Sequence, residues 1–91
     1  MVEIEWDGLE LSARDRQVLF DRIRWLTRRL TDQARIAVEI VREGGQLGVR
    51  IDARDADHGR IGVEVRHAHF PTALQRASDL VAARWGRTHA A

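Results

Sequence analysis

The chain has 91 residues, with 14 acidic and 15 basic side chains, every basic one an arginine, and no cysteine. That length holds one domain with one modest core, and 44% apolar with 32% charged residues is the composition of a folded chain, not a disordered one. The lack of cysteine excludes a disulfide framework, a thiolate metal site and a cysteine nucleophile, and no apolar run of about 18 residues is present to cross a membrane as a helix.

Val2, Ile4 and Trp6 alternate with Glu3, Glu5 and Asp7, the period of a strand with one buried face, so Trp6 is expected in the core. Asp7-Gly8 ends that strand, and Ser12 is placed to cap a helix. From Ala13 to about Leu30, Leu19, Ile23, Leu26 and Leu30 form the buried stripe, widened on one side by Val18 and Trp25. Thr31-Asp32 closes this helix. Ile36, Val38 and Ile40 predict a second strand, and Glu43-Gly44-Gly45-Gln46 a hairpin turn. Val49, Ile51 and Ala53 predict a third strand, Asp55-Ala56-Asp57-His58-Gly59 a longer turn, and Ile61, Val63 and Val65 a fourth strand running to about His67. Pro71 suits the first turn of a helix whose buried stripe is Leu74, Ala77 and Val81. That helix is predicted to end near Trp85, with Gly86 as its stop. The domain is expected over residues 1–87, with 88–91 a frayed tail.

The order β-α-β-β-β-α predicts an α+β fold with a four-stranded mixed sheet. The first β-α-β step is a right-handed crossover that makes strands one and two parallel, and hairpins follow. Each strand has one apolar set, so both helices must cover the same sheet face. The other face is open and polar, with Glu3, Glu5, Arg35, Glu39, Arg50, Asp52, Arg54, Glu64 and Arg66.

No nucleophile elbow, phosphate-binding glycine loop or zinc-protease motif is present. Asp55 and Asp57 read as solvated turn residues, and Ser12 and Ser78 as a cap and a helix-surface residue. His67 and His69, two apart, point the same way on an extended strand, which alone is a weak metal signal. The expectation is no catalytic residue, no metal, no cofactor and no small-molecule substrate. With no export signal at its start, the chain is expected in the cytoplasm.

Charge is distributed unevenly along the chain. Residues 1–11 carry four acids and no base, residues 12–42 a net +4, residues 43–70 about −1 and residues 71–91 a net +2. The positive segments are the two helices. At about 100° per residue, Arg14, Arg24 and Arg28 project away from the first helix's stripe, and Arg22 and Arg29 lie on the flank of Val18 and Trp25. On the last helix Arg76 and Arg87 share a face with Ala83, and Arg84 sits at the edge of the stripe. Such a surface reads either as an ordinary solvated helix face or as a site for a phosphate backbone. Arginine without lysine likewise fits codon bias as well as bidentate phosphate recognition. Trp25 either stacks on a base or packs against the last helix.

With this order in place, the chain resembles the ribosome hibernation-promoting factor family, also called the ribosome-associated inhibitor or sigma-modulation family. The resemblance spans residues 2 to about 87. It is carried by Leu9-Glu10-Leu11-Ser12-Ala13 with Arg16-Gln17 and Asp21-Arg22-Ile23, and by Phe70-Pro71-Thr72-Ala73-Leu74-Gln75-Arg76-Ala77. The chain departs from the family pattern at Asp15, where an apolar residue is common, and at Pro71, where a tyrosine is common. The resemblance implies a fold similar to a double-stranded-RNA-binding domain with an added strand. It also implies binding to ribosomal RNA of the small ribosomal subunit, where messenger and transfer RNA lie, and inhibition of translation in stress or stationary phase. The RNA-binding residues it implies are Arg22, Arg28, Arg29, Arg76, Arg84 and Arg87, and Arg24, which projects outward on the same helix, is expected to join them. The competing reading is a protein-interaction module on the same fold, a homo-oligomer formed through the open sheet face or an edge strand.

Overall fold

The elements are β1 (Val2–Glu5), α1 (Ala13–Arg29), β2 (Arg35–Glu43), β3 (Gln46–Asp55), β4 (Gly59–His67) and α2 (Phe70–His89). The computed structural model describes residues 1–6, 10–56 and 59–89, the side chains of 87–89 excepted. The turn residues Asp7, Gly8, Asp57 and His58, residue Leu9, the chain end 90–91, and the side chain of Arg87 lie outside that description.

The sheet order is β1-β2-β3-β4. β1 runs parallel to β2, with Val2 beside Ile36 and Ile4 beside Val38. The pairs β2–β3 and β3–β4 are antiparallel. This is the α+β arrangement expected from the pattern of periods two and 3.6.

Strand parity explains the layering. Ile36, Val38 and Ile40, then Val49, Ile51 and Ala53, then Ile61 and Val63 are all buried in one core, with Leu19, Ile23 and Leu26 of α1 and Leu74, Ala77, Val81 and Trp85 of α2. Both helices therefore lie on one sheet face. β1 is the weakest contributor, because it is a four-residue edge strand. Val2 is exposed, and Ile4 and Trp6 are only partly buried against the core. Trp6, expected in the core, lies beyond the last paired residue, Glu5, and is only partly buried against the core.

Local chemistry fixes the ends. Ser12 caps α1, its Oγ accepting from the Asp15 N–H at 3.0 Å. Asp15 in the first turn and Arg28 and Arg29 in the last complement the helix dipole. Ser12→Ala is expected to cost about 1 kcal/mol in urea unfolding. Between the paired residues Glu43 and Gln46, Gly44 has φ +62°. A positive φ at the first loop position is what a II′-type hairpin turn needs. Gly44→Ala is expected to cost about 1 kcal/mol, whereas Gly45→Ala, with no positive φ and open space at its Cβ, should be near neutral in the same measurement.

Two expectations change. α2 does not stop at Gly86 but runs to His89. Gly86 has no positive φ, so it forms no left-handed cap, and Trp85 at 3% exposure pins the adjoining turn to the core. Ser78 is not on the helix surface: it is fully buried.

Candidate nucleic-acid interface

The two sides of the molecule treat their arginines differently. On the open sheet face, cross-strand register places opposite charges together. Arg50 pairs with Glu64 at 3.2 Å and Glu39 at 3.6 Å. Arg66 pairs with Glu43 at 3.0 Å and Glu64 at 3.6 Å. Arg60 binds Asp52, whose hydrogen bond and charge raise the guanidinium's pKa above its usual value. The Arg50 and Arg60 pairs line a depression of about 520 Å³ that also includes Glu3 and Glu5. On this part of the face each of these three arginines is matched to a carboxylate.

The helix layer is different. Arg24, Arg28 and Arg76 are exposed. Among the described residues none of the three side chains has a hydrogen bond or an ion pair, and neither do the side chains of the exposed Arg14 and Arg16. Asp21, which shares this surface, is held by the Gln17 amide at 2.9 Å. The unpaired cations on the two helices are therefore free to meet an external anion.

The other predicted site arginines fall into distinct positions. Arg22 is the junction between the helices. Its Nε donates to the buried Ser78 Oγ at 2.6 Å, and a terminal nitrogen binds Asp79. Ser78 Oγ in turn donates to the Gln75 carbonyl at 3.0 Å. Arg22 also lies over the Trp25 ring, its guanidinium carbon 3.6 Å from the centroid, and the Arg29 guanidinium carbon lies over the same ring at 4.3 Å. Two guanidinium groups that close cannot share one face without overlapping, so they bracket the indole. Both faces of Trp25 are therefore covered, and the ring packs in the groove between α1 and α2 that Val18, Pro71 and Leu74 also line. Of the two readings of Trp25, packing between the helices describes it. Arg84 reaches the other way, donating to the Gly62 carbonyl of β4 at 3.4 Å.

His67 and His69 form the turn into α2. The His69 N–H donates to His67 Nδ1 at 2.9 Å, and His69 Nδ1 is 2.8 Å from Thr72 Oγ1. Among the described residues no group of three or more metal-ligating side chains comes together.

Sequence reasoning missed the Arg22–Ser78–Asp79 junction. Its partners are 56 and 57 residues apart, and no periodicity signals such a contact. The cation–π bracket was within reach: Arg22, Trp25 and Arg29 stand at the i, i+3 and i+7 positions of one helix flank.

No family model matches the chain, and no curated protein matches it in sequence. Solved structures do match. The N-terminal domain of Thermus thermophilus Protein Y is similar at TM-score 0.75 and 21% identity, over 94% of this chain and 93% of that one. A ribosomal subunit interface protein from Coxiella burnetii is similar at TM-score 0.79 and 10% identity, over 99% of this chain and 98% of that one. The likeness spans nearly the whole chain, so these proteins share its α+β fold of a four-stranded mixed sheet with two helices.

Proposed function

We propose that this protein binds the small ribosomal subunit through ribosomal RNA and inhibits translation by occupying the decoding region, without enzymatic chemistry of its own. The observation that carries this reading is the asymmetry of its arginines: Arg24, Arg28 and Arg76 stand exposed and unpaired on the helix layer, while Arg50, Arg60 and Arg66 on the sheet face are matched to carboxylates. Its fold is also that of a protein described as a ribosomal subunit interface protein. In this reading Arg24, Arg28 and Arg76 meet phosphates directly, with Arg29, Arg84 and Arg87 at the margins. Arg22 acts by holding α1 against α2.

Phosphate contact releases counterions, so affinity falls steeply with salt. The test is co-sedimentation with purified 30S subunits. Binding is expected near 50 mM salt, with about a thousandfold weakening by 200 mM for six phosphate contacts. No co-sedimentation at low salt refutes the proposal. Translation in a reconstituted system should be inhibited at the concentrations that saturate the subunit.

A further inference from the structure

On the open sheet face one row breaks the pattern of matched charges. Arg35 on β2 is the register partner of Arg54 on β3, and Arg54 is the register partner of Arg60 on β4. Cross-strand partners lie about 5 Å apart at Cβ, and like charges directly opposite are destabilising. Arg60 escapes by turning to Asp52 on the adjacent row. Arg35 and Arg54 do not: both are exposed, and among the described residues neither side chain has a hydrogen bond or an ion pair.

The two guanidinium groups face room on both sides. Both line a depression of about 210 Å³ toward β1, with Glu3 and Asp52, and another of about 440 Å³ toward the β3–β4 turn, with Gln33 and Asp55. The neighbouring carboxylates do not neutralise them. Asp52 is taken by Arg60, Asp55 accepts from Thr31 Oγ1 at 3.2 Å, and Glu3 makes no ion pair with either arginine.

We propose that Arg35 and Arg54 form an anion site on the sheet face that binds a phosphate dianion, free or as the terminal group of a nucleotide. Two adjacent guanidinium forks present paired N–H donors of the geometry that phosphate oxygens accept bidentately. A bound dianion also removes the repulsion between them. The occupant is a small anion and not a nucleic-acid strand. The adjacent row carries Glu3 and Asp52, and the row after it Glu5, Glu39 and Glu64 against Arg50 alone, so the net negative charge of these rows repels a polyanion laid across the strands. This site is separate from the helix surface and does not depend on the ribosomal reading.

The test uses the full chain with arginine Nε–H signals followed by NMR as inorganic phosphate is added at constant ionic strength against chloride. The Arg35 and Arg54 signals are expected to move together and saturate, while those of Arg14 and Arg76 stay in place. Arg54→Gln should weaken phosphate binding about tenfold or more, as loss of a charge-assisted contact predicts. Without phosphate, Arg54→Gln should raise the melting temperature, because it removes a like-charge neighbour; a folded variant is thus built into the test. Arg28→Glu with Arg76→Glu should leave the phosphate response unchanged. A nucleoside diphosphate that saturates the same signals at lower concentration assigns the phosphate to a nucleotide, and equal concentrations assign it to free phosphate. Uniform movement of all arginines, an Arg54 response that survives Arg35→Gln, or saturation by an RNA oligonucleotide but not by phosphate overturns the proposal.

Discussion

Replacing Arg22 with alanine is expected to lower unfolding free energy by about 3 kcal/mol in urea denaturation, a large change for one polar residue. Three interactions end together. The charge-assisted hydrogen bond to buried Ser78 contributes about 1.5–3 kcal/mol. The cation–π contact with Trp25 contributes about 0.5–1 kcal/mol. The Asp79 ion pair, with Asp79 half exposed, contributes under about 1 kcal/mol because solvent screens it. These terms share one side chain and overlap, so the expected total is near the largest of them with a modest addition. Arg22→Lys should recover less than half, because an ammonium lacks the planar fork that serves the Ser78, Asp79 and indole contacts at once. A double-mutant cycle with Ser78→Ala should give a coupling of about 1 kcal/mol or more. A change below about 0.5 kcal/mol for Arg22→Ala, the range of ordinary surface substitutions, would show that the two helices hold together without this junction.

The second large effect is on binding. In the proposed complex, charge reversal at Arg28 and Arg76 turns two attractive phosphate contacts into two repulsive ones. At about 1 kcal/mol per unit charge near 4 Å in water, each reversal changes about 2 kcal/mol, so the loss is about 4 kcal/mol, roughly a thousandfold in affinity for the small subunit. The dependence of log affinity on log salt should also become shallower by about 2. Both side chains are exposed and unpaired, so urea unfolding should move by no more than about 0.5 kcal/mol. Arg50→Glu on the sheet face is the matching control: it disrupts the Glu39 and Glu64 pairs and should leave subunit affinity unchanged. Full retention of binding by the Arg28→Glu, Arg76→Glu variant would move the interface off the helix layer.

How far the sequence reached depends on the range of the interaction. The strands of Ile36-Val38-Ile40 and Ile61-Val63, and the stripe of Leu19, Ile23 and Leu26, follow from periods two and 3.6, and each is buried as those periods demand. Gly44 is legible because only a tight turn between two alternating strands explains it there. Gly86 misleads because a glycine near a helix end marks a stop only if it adopts positive φ, and burial of Trp85 beside it favours continuation. Ser78 misleads for the opposite reason: serine usually lies on a surface, and the partner that makes its burial affordable, Arg22, comes from the other helix. Of the seven arginines expected to bind RNA, the sequence placed Arg24, Arg28 and Arg76 outward by helix angle alone. It did not separate them from Arg22 and Arg84, which reach back to Ser78 and to the Gly62 carbonyl, because that separation depends on which groups the tertiary fold brings within reach.

In the proposed complex the helix layer, not the sheet, faces ribosomal RNA. The chain has no cysteine, so a single introduced thiol carries a photo-crosslinker at one chosen place. Ala83 is exposed on α2 beside the arginine face, and Gly62 is exposed on β4 with open space at its Cβ. With purified 30S subunits, Ala83→Cys is expected to cross-link to 16S ribosomal RNA and Gly62→Cys is not. Cross-linking from Gly62→Cys with none from Ala83→Cys, or none from either at low salt, would contradict the account.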